Sequence, residues 1–217
     1  MSTRSLLVLG GSGFVGKSIV RAALTSNWNV VSVQRTPVLG DRVNGVSYVA
    51  GNALDPTIYR QIFEEHPSIT AVVHSMGVLV DGGGDRSYAR VNRDSAIIAA
   101  EETRKNVAVK SFVYLSAADV NFVAQIVMKN YFISKKETEA FLIKNNLFKN
   151  TVIARPPFMY GPEKKWSLYA APLFNVAHTL SLGFAPKGVS VEAVADKIIE
   201  TISKPIPTEN KITTLEF

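Results

Sequence analysis

The chain has 217 residues, 47% of them apolar and 19% charged, the balance of a globular domain of ordinary size with a sizeable core. It holds no cysteine and only three scattered histidines, His66, His74 and His178, which excludes disulfides and thiolate metal centres and leaves no zinc-like spacing, so no metal is expected. Its formal charge of +6 fits a solvated surface, an anionic cofactor, an anionic membrane surface or a basic organelle interior, whereas the lack of a basic block with interleaved aromatics argues against nucleic acid.

The short leader "MSTR" has no apolar core and predicts no signal peptide; "SLLVLG" after it reads as a buried strand. "GKSIVRAALTSN" predicts the helix that follows, and "NVVSVQR" a second strand. A turn-like "PVLGDRVNG" leads to a third strand in "GVSYVAGN", then a short helix in "TIYRQIFEEH" and a fourth strand in "TAVVHSMG". "DGGGDR", Asp81 to Arg86, predicts a flexible loop over a cofactor rather than a phosphate cradle, because no helix start follows directly. "RDSAIIAAEETRKN" is helical, "VKSFVYLSA" a fifth strand, "NYFISKKETEAFLIKNN" a long helix and "NTVIARP" a sixth strand. "SVEAVADKIIETISK" closes the pattern as an amphipathic helix with Val191, Val194, Ala195, Ile198 and Ile199 on one side. No apolar run reaches about eighteen residues, so no transmembrane helix is predicted. Strands alternating with helices predict an α/β, doubly wound Rossmann fold: a parallel sheet covered on both faces, with right-handed crossovers.

Gly10, Gly11, Gly13 and Gly16 crowd the turn between the first strand and the first helix. Both Gly11-x-Gly13-x-x-Gly16 and Gly10-x-x-Gly13-x-x-Gly16 fit a dinucleotide fingerprint. The first glycine permits the tight turn, Gly13 lets a pyrophosphate approach the backbone, and Gly16 lets the helix pack close to the strand. The free N–H groups of the helix start then hold the phosphates. An acid at the end of the second strand would bind the ribose 2′-OH of NAD; the sequence has "VSVQRT" there, with Arg35 able to fork onto a 2′-phosphate. NADP is therefore the expected cofactor, with NAD the second choice; the alternative for Arg35 is an exposed cation stacking over the adenine. Asn52 in "GNALDP" is placed to touch the adenine.

"GGSGFVG", "VVHSMG", "YFISK" and "ARPPFMYGP", in that order, together with the late "GVSVEAVADKII", resemble the short-chain dehydrogenase/reductase superfamily in its extended or atypical branch, over nearly the whole chain. Within that branch, "FVYLSAAD" and "NYFISKKETEAFL" look most like a mitochondrial group. It comprises fungal coenzyme Q biosynthesis proteins and plant relatives, related to a nucleotide-carrying accessory subunit of respiratory complex I. The resemblance implies a cofactor set of Gly10, Gly11, Gly13, Phe14, Gly16, Arg35, Asn52, Ser75, Gly77 and Pro156. It further implies Tyr131 as general acid/base and Lys135, four residues on and so on the same helix face, as the ammonium that lowers the tyrosine pKa and bonds the nicotinamide ribose. The family's third member, a Ser or Thr donor to the reacting carbonyl, is Ala118 here; Ser116 is the strand-end serine that could substitute, and Asp119 could do so only if protonated.

The resemblance also implies ubiquinone biosynthesis on the matrix side of the mitochondrial inner membrane, with a cytoplasmic location as the alternative. Its partners would be a quinone-like lipid, other coenzyme Q biosynthesis proteins and a peripheral membrane contact. The opposing expectation is a non-catalytic nucleotide-binding assembly subunit, favoured by Ala118 and by the short C-terminal part. Residues 1–217 are expected to form one nucleotide-binding domain in which 163–187 is a small insertion, basic at Lys164 and Lys165 and then apolar. That stretch either closes a substrate cleft or faces a membrane, with His178 an ordinary side chain.

Overall fold

The computed structural model describes residues 4–35, 43–119, 126–164, 167 and 188–217. Its first strand, Ser5–Leu9 (β1), is buried along its whole length. An unbroken apolar run of this kind is what a strand covered on both faces requires. Leu6 and Val8 pack into one core layer with Phe14–Thr25 (α1) and Val191–Ser203 (α5). Leu7 and Leu9 pack into the other, with Thr57–Glu65 (α2), Ser95–Thr103 (α3) and Lys129–Asn145 (α4).

The other strands of the sheet are Asn29–Gln34 (β2), Val46–Ala50 (β3), Ile69–His74 (β4), Ser111–Leu115 (β5), Asn150–Arg155 (β6) and Lys211–Glu216 (β9). Their order is β3-β2-β1-β4-β5-β6-β9, with every pairing parallel. Met159–Tyr160 (β7) and Val189–Ser190 (β8) form a separate short parallel pair. The chain leaves β1 toward β2 and β3, then returns across the sheet to β4. The order therefore reverses between β1 and β4, and a crevice opens beyond their carboxyl ends, where ligands bind in open α/β sheets. This is the doubly wound fold expected from the alternation of elements.

Three local features depart from the sequence reading. The first helix starts two residues early, with Gly13 as its N-cap. A π-helical turn, Ala89–Asp94, precedes α3; Asn92 sits within it, fully buried. The last strand, "KITTLE", carries little strand pattern in the sequence, because at the sheet edge only Leu215 of its side chains is buried. The helices end by identifiable devices: Asn146 takes a left-handed conformation (φ 41°) after α4, and Ser190 caps α5 by accepting from Ala193 N at 3.1 Å. Among the described residues no helix is long and apolar enough to cross a membrane, and no cluster of ligating side chains is placed to hold a metal. Most of the expected 163–187 insertion, His178 included, lies outside the described residues. Its start is anchored: Glu163 accepts from Lys17 at 3.0 Å and from Arg21 at 2.9 Å, and Lys164 lies over the Phe14 ring at 4.8 Å.

Candidate functional site

The turn from β1 into α1 is built from glycines that the protein itself requires and one that it does not. Gly10 has φ +84°, a left-handed conformation that suits glycine, and a Cβ there would lie 2.9 Å from Met76 Cγ. Gly10, the first glycine of the longer spacing, is therefore the residue of the tight turn. A Cβ on Gly11 would overlap the Ser32 hydroxyl, and one on Gly16 would overlap the Gly10 carbonyl. Both are held by packing of the helix on the sheet. Gly13 is different: its Cβ would meet only the Gly10 carbonyl oxygen, at 3.1 Å. It caps α1 without a side chain, so the first N–H groups of the helix face outward with no intrahelical partner.

These N–H groups open on a cleft of about 660 Å³, lined among others by Ser12, Gly13, Gln34, Arg35, Ala53 and Gly77. Arg35 is exposed and has no partner among the described residues. Gln34 is 7% exposed, yet both ends of its amide lack a partner among the described residues. Asn52 is exposed and turns its Oδ1 back onto Leu54 N at 3.1 Å, so the cleft wall here is Gly51 and Ala53 instead. Ser75 lines the cleft while donating to the Leu9 carbonyl at 2.8 Å, which fixes the end of β4 against β1. Phe14 points the other way, toward Gly161 and Lys164. Pro156 is buried past β6, with its carbonyl taken by Ala118 N at 3.0 Å. Neither Phe14 nor Pro156 is among the residues lining the cleft.

Gly77 marks the junction with a second group of residues. A Cβ on it would lie 3.5 Å from both Lys135 Nζ and Asn92 Oδ1. Asn92 holds the loop after β4 by accepting from Val78 N at 2.8 Å and donating to Val78 O at 3.2 Å. Its own carbonyl accepts from the Tyr114 hydroxyl at 2.8 Å and from Thr138 Oγ1 at 3.3 Å. Lys135 is 4% exposed and donates to the Leu115 carbonyl at 2.7 Å, with Tyr114 packed against it at 4.9 Å. Burial pulls its ammonium down to about 7, and nearby Glu139 opposes that fall. His74, fully buried at the end of β4, is pulled down to about 3, first by burial and then by the Lys135 charge, and is neutral. Its Nε2 pairs with the Ser95 hydroxyl at 2.9 Å.

Tyr131 shares the helix face of Lys135, as the four-residue spacing required, with 6.0 Å from Nζ to the tyrosine ring. It stands edge-on to Tyr88, with ring centroids 5.8 Å apart. The expected lowering of the Tyr131 pKa does not occur. Burial, with a smaller push from Tyr88, raises the phenol to about 12. The ammonium is too distant to reverse this and forms its hydrogen bond with Leu115 instead. Tyr131 is therefore protonated at neutral pH, a state suited to donating a proton.

Ser116 is 4% exposed, its hydroxyl lacks a partner among the described residues, and it lines a separate cavity of about 680 Å³ with Lys135, Glu139 and Arg155. That cavity lies on the α4 side of the sheet, not in the glycine-turn cleft. Asp119 is exposed and paired with Lys136 at 3.1 Å. Gln34, Tyr88, Asn92 and Tyr114 were not singled out from the sequence. Only "VQRT", where Gln34 stands at the expected acid position, carried a readable signal.

The buried orphan amide of Gln34, the open side of Gly13 and the free helix start suit a dinucleotide with its pyrophosphate on α1. An uncharacterised chloroplastic protein of Arabidopsis thaliana is 32% identical over 167 residues, covering 76% of this chain and 53% of that protein; the match thus spans about half of that relative's length. The MIOREX complex component 2 of Saccharomyces cerevisiae is 29% identical, covering 92% of this chain and 94% of that protein. Among solved structures, the Bordetella bronchiseptica enzyme WbmF in complex with NAD+ superposes with a TM-score of 0.69 at 18% identity, covering 98% of this chain and 72% of that one, a likeness of fold. The family model for NAD dependent epimerases and dehydratases matches residues 6–169, from β1 through the glycine turn and the Tyr131–Lys135 helix to past β6, and the chain belongs to that family.

Proposed function

We propose that this protein binds NADP(H) in the cleft between the glycine turn and Gly77 and acts as an oxidoreductase of the atypical short-chain dehydrogenase/reductase type. The observation that carries this reading is the contrast at the glycine turn. Packing accounts fully for Gly10, Gly11 and Gly16, whereas at Gly13, at the mouth of α1, a Cβ would press on one atom alone and its other side is open to a ligand. In such a complex Gly13 and the α1 N–H groups hold the pyrophosphate, and Arg35 takes the 2′-phosphate. Ser75 and Gly77 form the floor near the nicotinamide, and Lys135 holds the adjoining ribose. When bound, the nicotinamide supplies or accepts a hydride. Tyr131, protonated at neutral pH, donates the proton to the substrate oxygen, and Ser116 replaces the family's missing donor at Ala118 only by rotating toward that oxygen.

We assign the substrate side to a quinone-like precursor in mitochondrial coenzyme Q biosynthesis. That assignment is supported by the likeness of "FVYLSAAD" and "NYFISKKETEAFL" to that mitochondrial group. The cofactor test is a calorimetric titration with NADPH and NADH. NADPH is expected to bind about ten- to a hundredfold more tightly, the value of one charged hydrogen-bonded contact, and Arg35→Asp to narrow or reverse the difference. Equal affinities in the unaltered protein would retire the NADP assignment.

A second reading, a nucleotide-carrying subunit of a larger complex without turnover, is favoured by two observations. Tyr131 is raised rather than activated, and the yeast relative is named as a complex component. In cells lacking the endogenous copy, Gly13→Asp fails under both readings. Tyr131→Phe, which removes one hydroxyl, restores coenzyme Q only under the second.

A further inference from the structure

Lys135 is surrounded by groups that cannot all favour one charge state. On α4 it has Tyr131 one turn before it and Glu139 one turn after. Tyr114 and the Leu115 carbonyl face it from β5, and buried, neutral His74 on β4 feels its charge. Asp119 and Lys136 are already paired at the rim of the cavity. Glu139 is 7% exposed and held in a two-pronged pair by Arg155, with Nε at 3.1 Å and Nη2 at 2.6 Å from its two oxygens. Arg155, at the end of β6, also reaches Glu216 on β9 at 3.3 Å. Lys135, Glu139 and Arg155 all line the cavity of about 680 Å³ on the α4 side of the sheet.

We infer that Glu139 and Arg155 are positioning residues with opposed effects on Lys135: the carboxylate keeps the buried ammonium charged, and the guanidinium, by claiming the same carboxylate, limits how firmly. A purely structural pair would tie α4 to β6 and leave Lys135 indifferent to which partner was removed. Here the two partners carry opposite charges behind one buried cation, so their removal has opposite consequences. Without Glu139, Lys135 faces only desolvation and a cation. Without Arg155, it has the carboxylate to itself. The downward pull of burial on Lys135, and the opposing effect of Glu139, are in keeping with this arrangement. In the protein proposed above, the balance sets the pH range over which Lys135 presents an ammonium to the ribose.

The test needs no substrate. The full chain is labelled competitively with acetic anhydride from pH 5 to 10, and modification of Lys135 is read by mass spectrometry. The cavity gives this small reagent a route to the side chain. Glu139→Gln should move the Lys135 midpoint down by about one pH unit or more, and Arg155→Gln should move it up by a similar amount, the range expected for a close charge. Arg155→Lys, which keeps the cation, should stay near the unaltered protein. Because Arg155→Gln strands a buried carboxylate and can fail to fold, the double variant Glu139→Gln/Arg155→Gln is measured too. Its midpoint should lie above that of Glu139→Gln alone. Shifts in the same direction for the two single variants, or a double variant identical to Glu139→Gln, would overturn the inference. The inference rests on the nucleotide-binding reading only for its consequence. NADPH titrated at pH 6 and pH 9 should bind more weakly at the higher pH. If it binds at neither, the proposed function fails while the labelling result still stands.

Discussion

Lys135 costs the fold stability at neutral pH. Its ammonium is pulled from an ordinary 10.5 to about 7. Below about pH 7 both folded and unfolded chains hold the proton, and the full cost of burying it is present. Between about 7 and 10.5 the unfolded chain holds a proton that the folded chain has released, so stability rises with pH across that window. Lys135→Met removes the charge and leaves Glu139 with Arg155. It should raise the melting temperature at pH 6 by about 3–10 °C, with the gain shrinking toward pH 10. An unchanged melting temperature at pH 6, measured by calorimetry, would mean that the buried ammonium is better compensated than its surroundings indicate. The position of this lysine was legible from sequence, because i, i+4 spacing on a helix fixes a shared face. Its environment was not. Tyr88 reaches Tyr131, and His74 reaches the field of Lys135, from elements that lie 40 or more residues earlier in the chain, and only the folded sheet brings them together. For the same reason the motif implies a lowered tyrosine pKa while burial pushes it up: the motif specifies neighbours but not how much water is lost.

At the scale of the element, the β1–α1 turn separates what the fold needs from what a ligand needs. Gly16→Ala would drive a methyl group into the Gly10 carbonyl, a backbone atom that cannot move without moving the strand. It should lower stability by about 1–3 kcal/mol, the usual range for overpacking. Gly13→Ser should behave in the opposite way. Serine is as good an N-cap as glycine or better, and its Cβ would press on one atom alone, the Gly10 oxygen at 3.1 Å, a tight contact that a shift of a few tenths of an ångström relieves. The melting temperature should therefore hold or rise slightly while NADPH affinity falls at least about tenfold, because the side chain occupies the approach to the helix N–H groups. Thermal melts and titrations of the two variants, done side by side, check both halves; tight nucleotide binding by Gly13→Ser would move the phosphate site elsewhere. The sequence made this turn readable because glycine spacing directly reflects backbone geometry. The π-helical turn at Ala89–Asp94 left no comparable mark. "YARVNRD" has no residue pattern that marks it, and the wider turn is set by tertiary bonds: Ser95 to Val91 O at 2.6 Å and to His74 at 2.9 Å, and Asn92 to the loop after β4.

Over the whole molecule, the sheet depends at one edge on the strand that the sequence hid most completely. β9 pairs with β6 along its full length, from Asn150 opposite Lys211 to Arg155 opposite Glu216. Leu215 is 8% exposed within the core layer of α1 and α5, and Phe217 packs against that layer under Lys197 at 4.7 Å. β9 alternates weakly and lies far from the glycine turn, yet it covers the edge of β6, whose end carries Arg155 and so reaches the lysine site through Glu139. Removing residues 205–217 should therefore do more than shorten the chain. It would expose the unpaired N–H and C=O groups of β6, a buried apolar strand with no gatekeeping charge before Arg155 and hence a template for pairing between copies. It would also take Glu216 from Arg155. The truncated protein should melt at least about 5 °C lower, since both paired backbone and core side chains are lost. It should elute as dimers or larger species under conditions where the full chain is dispersed. Size-exclusion chromatography with light scattering, alongside a thermal melt, reads both effects. A truncated chain of unchanged size and melting temperature would show that β6 needs no neighbour, and that the support of the lysine site ends at the Arg155–Glu139 pair.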